Sequence, residues 1–112
     1  MKIPVTPDEL LTQLEKMAIA GEEYAKARRD RIYLDDYKDV VLARLMKASD
    51  AESVAAKKID AQAHPDYEKV INDGADADYL EKILLWKKDC LMAILDLSRT
   101  IQANNRAVGD RI

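Results

Sequence analysis

The feature that most constrains this chain is its scarcity of residues that break helices. Three glycines and three prolines are spread over 112 residues, and Gly21 is the only one of them between Pro7 and Pro65. Interior proline or glycine usually ends or weakens a helix, so uninterrupted stretches of this length predict helices of many turns. A composition dominated by Ala, Leu, Lys, Asp and Glu, with few aromatic residues, points the same way, and sheet-rich folds are disfavoured.

Capping patterns indicate where these helices begin. Thr6–Glu9 and Ser49–Glu52 both have the spacing of a capping box, in which a hydroxyl and a carboxylate satisfy the free N–H groups of a first turn. Pro65 suits the first position of a further helix, whereas Gly74 is either a break in that helix or an exposed turn of it. The prediction is a single helical domain over 1–112, with helices at about 7–48, 50–63 and 65–108.

The predicted third helix carries more apolar surface than one neighbour covers. Two long helices joined by a short one predict an all-α antiparallel hairpin, in which each long helix has one intramolecular partner. At about 100° per residue, however, the apolar residues of the third helix cover about half of its circumference. We therefore expect an oligomeric helical bundle or coiled coil, with Cys90 buried in the same arc. The predicted oligomer interface consists of Leu80, Ile83, Leu84, Trp86, Leu91, Ile94, Leu97 and Ile101.

Two apolar features lie outside this arc. Leu85 and Met92, on the other side of the third helix, are either scattered surface residues or a second apolar contact. In the first helix, the apolar stripe shifts from one side to the other near Arg28–Arg31. This shift predicts either two partners, one within the subunit and one outside it, or a kink near residue 30.

The sequence offers little for catalysis or metal binding. It has one histidine, His64, in a His-Pro pair typical of a helix boundary, and one cysteine, Cys90. The glycines stand apart and form no phosphate-binding loop, and no pattern of Cys, His or carboxylates fits a zinc or di-iron site. We therefore expect a protein that is not an enzyme and that binds no metal and no cofactor.

The charged residues are nearly balanced. A net charge of −3 creates no field that draws the chain onto nucleic acid or an anionic membrane. No apolar run is long enough for a membrane span or a signal segment, so the expected location is the cytoplasm. In the hairpin, we expect Arg28 and Arg31 to pair with Asp89 and Asp96. The alternative is a nucleic-acid or partner contact through Arg28, Arg29, Arg31, Arg99, Asn105 and Arg106.

Six segments form an ordered series: YAKAR at 24–28, RIYLDDYK at 31–38, ARLM at 43–46, SVAA at 53–56, AQAHPDY at 61–67 and RTIQANNRA at 99–107. This series resembles small, uncharacterised helical proteins encoded by tailed phages and prophages, although members of that group often have Trp where this chain has Ser98. The resemblance implies a gene in the early region, beside single-strand-binding and recombination genes, and it implies no active site. The expected function is thus that of a phage-type accessory protein in DNA replication or recombination, acting through self-assembly and an unidentified protein partner in the host cytoplasm.

Overall fold

The computed structural model describes residues 2–110, which form three α-helices. Helix α1 spans Pro7–Ala48, α2 spans Val54–Gln62 and α3 spans Pro65–Asp110. The described residues contain no strand, and the two long helices pack against each other. The predicted all-α hairpin with a short connecting helix is confirmed, and α3 passes through Gly74 without a break.

The first turn of α1 is held by the capping box that the sequence predicts. Thr6 Oγ1 accepts a hydrogen bond from the backbone N–H of Glu9 at 3.2 Å. Glu9 in turn accepts from the backbone N–H of Val5 at 3.0 Å and pairs with the ammonium of Lys2 at 3.1 Å. These interactions lower the pKa of Glu9, mainly through the Val5 N–H and secondarily through Lys2.

The start of α2 differs from the prediction. The N-cap is Ser53, whose hydroxyl accepts from the backbone N–H of Ala56 at 3.1 Å, so α2 begins later than about residue 50. Ser49 instead donates to Asp60 at 2.8 Å and accepts from the backbone N–H of Ala51 at 3.2 Å. The capping-box prediction for Ser49 was wrong because its hydroxyl bonds a residue that is distant in sequence.

The contacts of the hairpin divide it into two compact units. The terminal unit contains the residues up to Ala25 together with those from Ile83 onwards, and the central unit contains Lys26–Lys82. Each unit therefore includes a part of α1 and a part of α3, and α2 belongs to the central unit.

In the terminal unit, polar side chains share the helix contact with apolar ones. Leu95 is buried, but so are Gln13 and Ser98. Gln13 Nε2 donates to the backbone carbonyl of Leu91 at 3.0 Å, and Ser98 Oγ donates to the carbonyl of Pro4. The start of α1 thus lies beside the late part of α3, as in an antiparallel pair, and these buried polar groups are satisfied.

In the central unit, the helix contact includes an ion pair. Val41 of α1 and Val70 of α3 are buried, and so is Glu81, further along α3. The Glu81 carboxylate accepts from the guanidinium of Arg31, which also donates to Asp35 at 2.9 Å. The bond to Glu81 is the main reason that the pKa of Arg31 is raised. A buried carboxylate is costly without a partner, so Glu81 depends on this arginine.

The buried positions follow a heptad spacing along both long helices. The buried residues of α1 are separated by seven residues or a multiple of seven: Gln13, Ala20, Ala27 and Val41. In the terminal unit, alternating steps of four and three residues separate a set of buried and half-buried α3 positions, which we call the inner seam. The inner seam consists of Leu84, Lys88, Leu91, Leu95, Ser98 and Gln102.

This spacing contributes to the shift of the apolar stripe in α1. A repeat of about 3.5 residues is that of supercoiled helix pairs, and it drifts by about 20° per heptad against a frame of 3.6 residues per turn. From Gln13 to Val41 the drift amounts to about 80°, so it accounts for part of the shift at Arg28–Arg31.

Candidate interaction surfaces

The predicted interface on α3 is divided between half-buried and exposed side chains. In the terminal unit, Ile83 is 47%, Trp86 73% and Leu97 48% exposed. Leu80, which belongs to the central unit, is also exposed. The remaining residues of the predicted interface are half-buried: Leu84, Leu91, Ile94 and Ile101.

A set of exposed and half-buried residues of the terminal unit, most of them apolar, forms a second regular stripe on α3, which Trp86 flanks without belonging to it. Each of them lies one position before a residue of the inner seam, so the two sets are rotated by about 100° around the helix. The prediction that Cys90 is buried was wrong, because it lies on this outward-facing set and is exposed. We call this set the outer stripe, and it consists of Ile83, Lys87, Cys90, Ile94, Leu97 and Ile101.

The single charged residue of the outer stripe is paired within the terminal unit. Lys87 Nζ lies 3.6 Å from a carboxylate oxygen of Glu23 on α1. Lys88, the next residue, belongs to the inner seam and holds its ammonium 5.1 Å from the ring centroid of Tyr24. The Lys87–Glu23 contact is a surface ion pair, because the two side chains are 55% and 46% exposed, so the outer stripe carries one partly screened charge between Ile83 and Cys90.

A smaller apolar surface lies on the other side of the terminal unit's α3. Leu85 is half-buried and Met92 is 46% exposed. On α1, Leu11 and Leu14 are also exposed, and a Cβ added at Gly21 meets no atom within 4 Å. Leu85 and Met92 are therefore compatible both with scattered surface residues and with a second apolar contact.

The central unit contains a groove of about 350 Å³ between α1 and α3. Tyr33 and Tyr37 stack there, with ring centroids 5.7 Å apart and planes within 9° of each other. On the α3 side of the groove, Lys69 pairs with Asp73 at 3.1 Å, and Arg44 of α1 also lines the groove. The sequence analysis missed this groove, and the spacing of the two tyrosines by one helical turn is the signal that indicates it.

The arginine clusters are engaged mostly by local acidic residues. Arg29 pairs with Asp30 at 3.3 Å, Arg99 pairs with Asp96 at 3.7 Å, and Arg31 is held by Glu81 and Asp35. The expected pairing of Arg31 with Asp89 or Asp96 was therefore wrong, because the antiparallel register brings Arg31 beside Glu81.

Three of the predicted contact residues lie outside these pairs. Arg28, Asn105 and Arg106 are exposed. Among the described side chains, Arg28 has no acidic partner within 4 Å, whereas Asp89 has Lys88 at 4.0 Å. Arg28 lies far in the sequence from Asn105 and Arg106, so a nucleic-acid contact through them would depend on widely separated residues.

The histidine is engaged in local structure. His64 is exposed, and its Nδ1 accepts from the backbone N–H of Asp66 at 3.0 Å at the start of α3. Within the described part of the chain, no group of three or more His, Cys, Asp or Glu side chains could hold a metal ion. None of the helices formed by residues 2–110 is long and apolar enough to span a membrane.

Comparison of the chain with protein-family models, curated proteins and solved structures finds no match.

Proposed function

We propose that this protein is a non-enzymatic interaction protein that self-associates through the outer stripe of α3 and binds a protein partner. The observation that carries the proposal is the distribution of side chains on α3 in the terminal unit. Ile83 and Leu97 of the outer stripe are exposed, as is Trp86 on its flank, while the polar residues Ser98 and Gln102 share the inner seam of the same helix with leucines. Large apolar side chains that stay exposed while polar ones are covered favour a second packing surface.

The exposed area of Trp86 is large enough to support association in water. A tryptophan side chain buries roughly 150–250 Å², and apolar burial contributes about 25 cal/mol per Å². Because Trp86 is 73% exposed, covering it fully is worth about 3–4 kcal/mol before the costs of association. Aromatic anchors of this kind carry much of the binding energy at protein interfaces.

The resemblance to helical proteins of tailed phages supplies the proposed setting. In that setting, the protein is an accessory factor in phage DNA replication or recombination, works in the host cytoplasm, and acts by assembly and by contact with another protein of that process. Affinity capture from infected or lysogenic cells, with and without nuclease, tests this setting. Recovery of a replication or recombination protein that survives nuclease treatment is the expected result, and recovery of none contradicts the setting.

A matched pair of substitutions tests self-association. Leu97→Lys places a charge on the outer stripe, and Met92→Lys places the same charge on the other side of the same helix at nearly equal exposure, 48% against 46%. Sedimentation at micromolar concentrations is expected to find an oligomer for the unmodified protein and for Met92→Lys, and a monomer for Leu97→Lys. A compact monomer whose melting temperature does not depend on concentration contradicts the proposal.

Nucleic-acid binding is the alternative function, and it has narrower support. It would rest mainly on Arg28, because Arg29, Arg31 and Arg99 have acidic partners. Such binding would weaken steeply with salt and would fall in Arg28→Ala by a similar factor for all nucleic-acid sequences. A gel shift at about 50 mM salt distinguishes it, and we expect no shift.

A further inference from the structure

We infer that His64 makes the turn between α2 and α3 sensitive to pH, because its neutral imidazole caps α3 and its protonated imidazole cannot. The inference is independent of the proposed self-association, since it concerns residues of the central unit that lie outside the outer stripe.

His64 connects α2 and α3 through its backbone. Its N–H donates to the carbonyl of Ala61 at 3.2 Å, in the last turn of α2. Its carbonyl accepts from the N–H of Glu68 at 3.2 Å, in the first turn of α3, where Pro65 holds the first position. His64 therefore links the end of one helix directly to the start of the next. A change in the bonding of its side chain acts on the joint between these two helices.

The side chain of His64 acts as the cap of α3. Its Nδ1 accepts from the backbone N–H of Asp66 at 3.0 Å, as a side-chain oxygen of Asn, Asp or Ser does at other helix starts. This bond needs the lone pair of Nδ1, so the imidazole that caps α3 is neutral and carries its proton on Nε2. An imidazolium has a proton on both nitrogens and accepts at neither. Histidine ordinarily changes its charge between about pH 5 and 8, so this cap depends on pH in a range where an asparagine cap does not.

Carboxylates around His64 provide a second arrangement for the charged imidazole. On α3, a carboxylate oxygen of Asp66 lies 3.8 Å from Nδ1. Asp60 of α2 and Asp50 of the connection before it line a cavity of about 340 Å³ together with His64. Among the described residues that line this cavity, those of α1 are uncharged and none is a lysine or an arginine. The three carboxylates stabilise an imidazolium, whereas the positive end of the α3 dipole opposes it.

The two arrangements exchange one hydrogen bond for another. When His64 is neutral, the N–H of Asp66 donates to Nδ1 and the first turn of α3 is capped. After protonation, the new Nδ1–H turns to the Asp66 carboxylate, and the N–H of Asp66 loses its acceptor. We therefore expect the first turn of α3 to fray as the pH falls from about 8 to about 5, while the middle of α3 stays helical.

NMR titration of the His64 ring tests the cap. Ring nitrogen shifts are expected to show the Nε2–H tautomer at about pH 8 and the imidazolium at about pH 5. The Cα shifts of Asp66, Tyr67 and Glu68 are expected to move towards unfolded values with the same midpoint as the ring. His64→Asn is the control, because its amide oxygen can cap at every pH in this range, and the three Cα shifts are expected to stay constant in it.

Three results would overturn the inference. A ring that carries its proton on Nδ1 at about pH 8 cannot accept from Asp66, which excludes the cap. First-turn Cα shifts that stay constant in the unmodified protein while the ring titrates show that the cap does not hold α3. A pH dependence that persists in His64→Asn assigns the change to another group. None of these results bears on self-association, which sedimentation measures separately.

Discussion

Leu95 and Leu97 lie two residues apart on α3, and the structure assigns them to different surfaces. Leu95 is 8% exposed in the inner seam, whereas Leu97 is 48% exposed on the outer stripe. Replacing each of them by alanine removes the same atoms from the same turn of the same helix. The difference between the two variants therefore measures which side of α3 packs within the subunit.

The expected magnitudes follow from burial. Full burial of a leucine contributes about 1.5–3 kcal/mol, and removing buried methyl groups adds a cost for the cavity that remains. A two-helix seam is narrow and closes partly over such a cavity, so Leu95→Ala is expected to lower the free energy of unfolding by about 2–3 kcal/mol. Leu97 is still about half exposed, so truncating it leaves no enclosed cavity. Leu97→Ala is therefore expected to lower the free energy of unfolding by only about 0.5–1 kcal/mol.

Urea denaturation followed by circular dichroism at 222 nm measures both values. The protein concentration is kept below the micromolar range, so that the unmodified protein is mainly monomeric and association does not contribute. Repeating the measurement at a high concentration is expected to raise the cost of Leu97→Ala and to leave that of Leu95→Ala unchanged. Equal costs for the two variants at low concentration would refute the assignment of the two surfaces.

Three further predictions concern stability outside the two leucines. Gly74→Ala is expected to stabilise α3 by about 0.5–1 kcal/mol in a thermal melt, because Gly74 is helical and an added Cβ meets no atom within 4 Å, and destabilisation would contradict that open site. Ser53→Ala is expected to lower the free energy of unfolding by about 1 kcal/mol, because it removes the hydroxyl that caps α2. NMR chemical shifts are expected to show reduced helicity in the α2 residues of this variant. An unchanged free energy of unfolding would indicate that Ser53 does not cap α2. The lowered pKa of Glu9 stabilises the folded protein above the ordinary pKa of a glutamate, and this contribution is lost as the pH falls through the lowered value. Glu9→Gln is therefore expected to flatten the acid side of a stability–pH curve, and an NMR titration that finds no lowering would contradict it.

Local sequence signals were sufficient for most of the fold. Thr6 and Glu9 are close in sequence, and they form the predicted cap because both partners belong to one turn of helix. The same reasoning failed at Ser49, whose hydroxyl bonds Asp60 from another helix. Ser53 caps α2 in place of Ser49, and this choice depended on the Ser49–Asp60 contact, which sequence spacing does not encode.

The candidate surfaces were less predictable than the helices. The apolar arc of α3 was visible in the sequence, but its division into an inner seam and an outer stripe was not, because both lie within the same half of the helix. Burial of Ser98 and Glu81, and exposure of Cys90 and Trp86, run against the usual order of hydrophobicity. A polar residue can occupy a seam when a partner on the other helix satisfies it, and residue type alone does not identify that partner.

The order of the residues along the chain determined the helices, their approximate ends and the excess of apolar surface, because these properties depend on neighbours within a few turns. The register between α1 and α3 was decided only by tertiary packing. That register placed Arg31 beside Glu81 and Gln13 beside Leu91, and so set which face of α3 is covered by the chain itself. The physical reason is that the buried positions drift around each helix by about 20° per heptad, which is small within one turn and adds up over several heptads. Sequence patterns within a few turns therefore do not fix which face of α3 meets α1, and the packing of the two helices does.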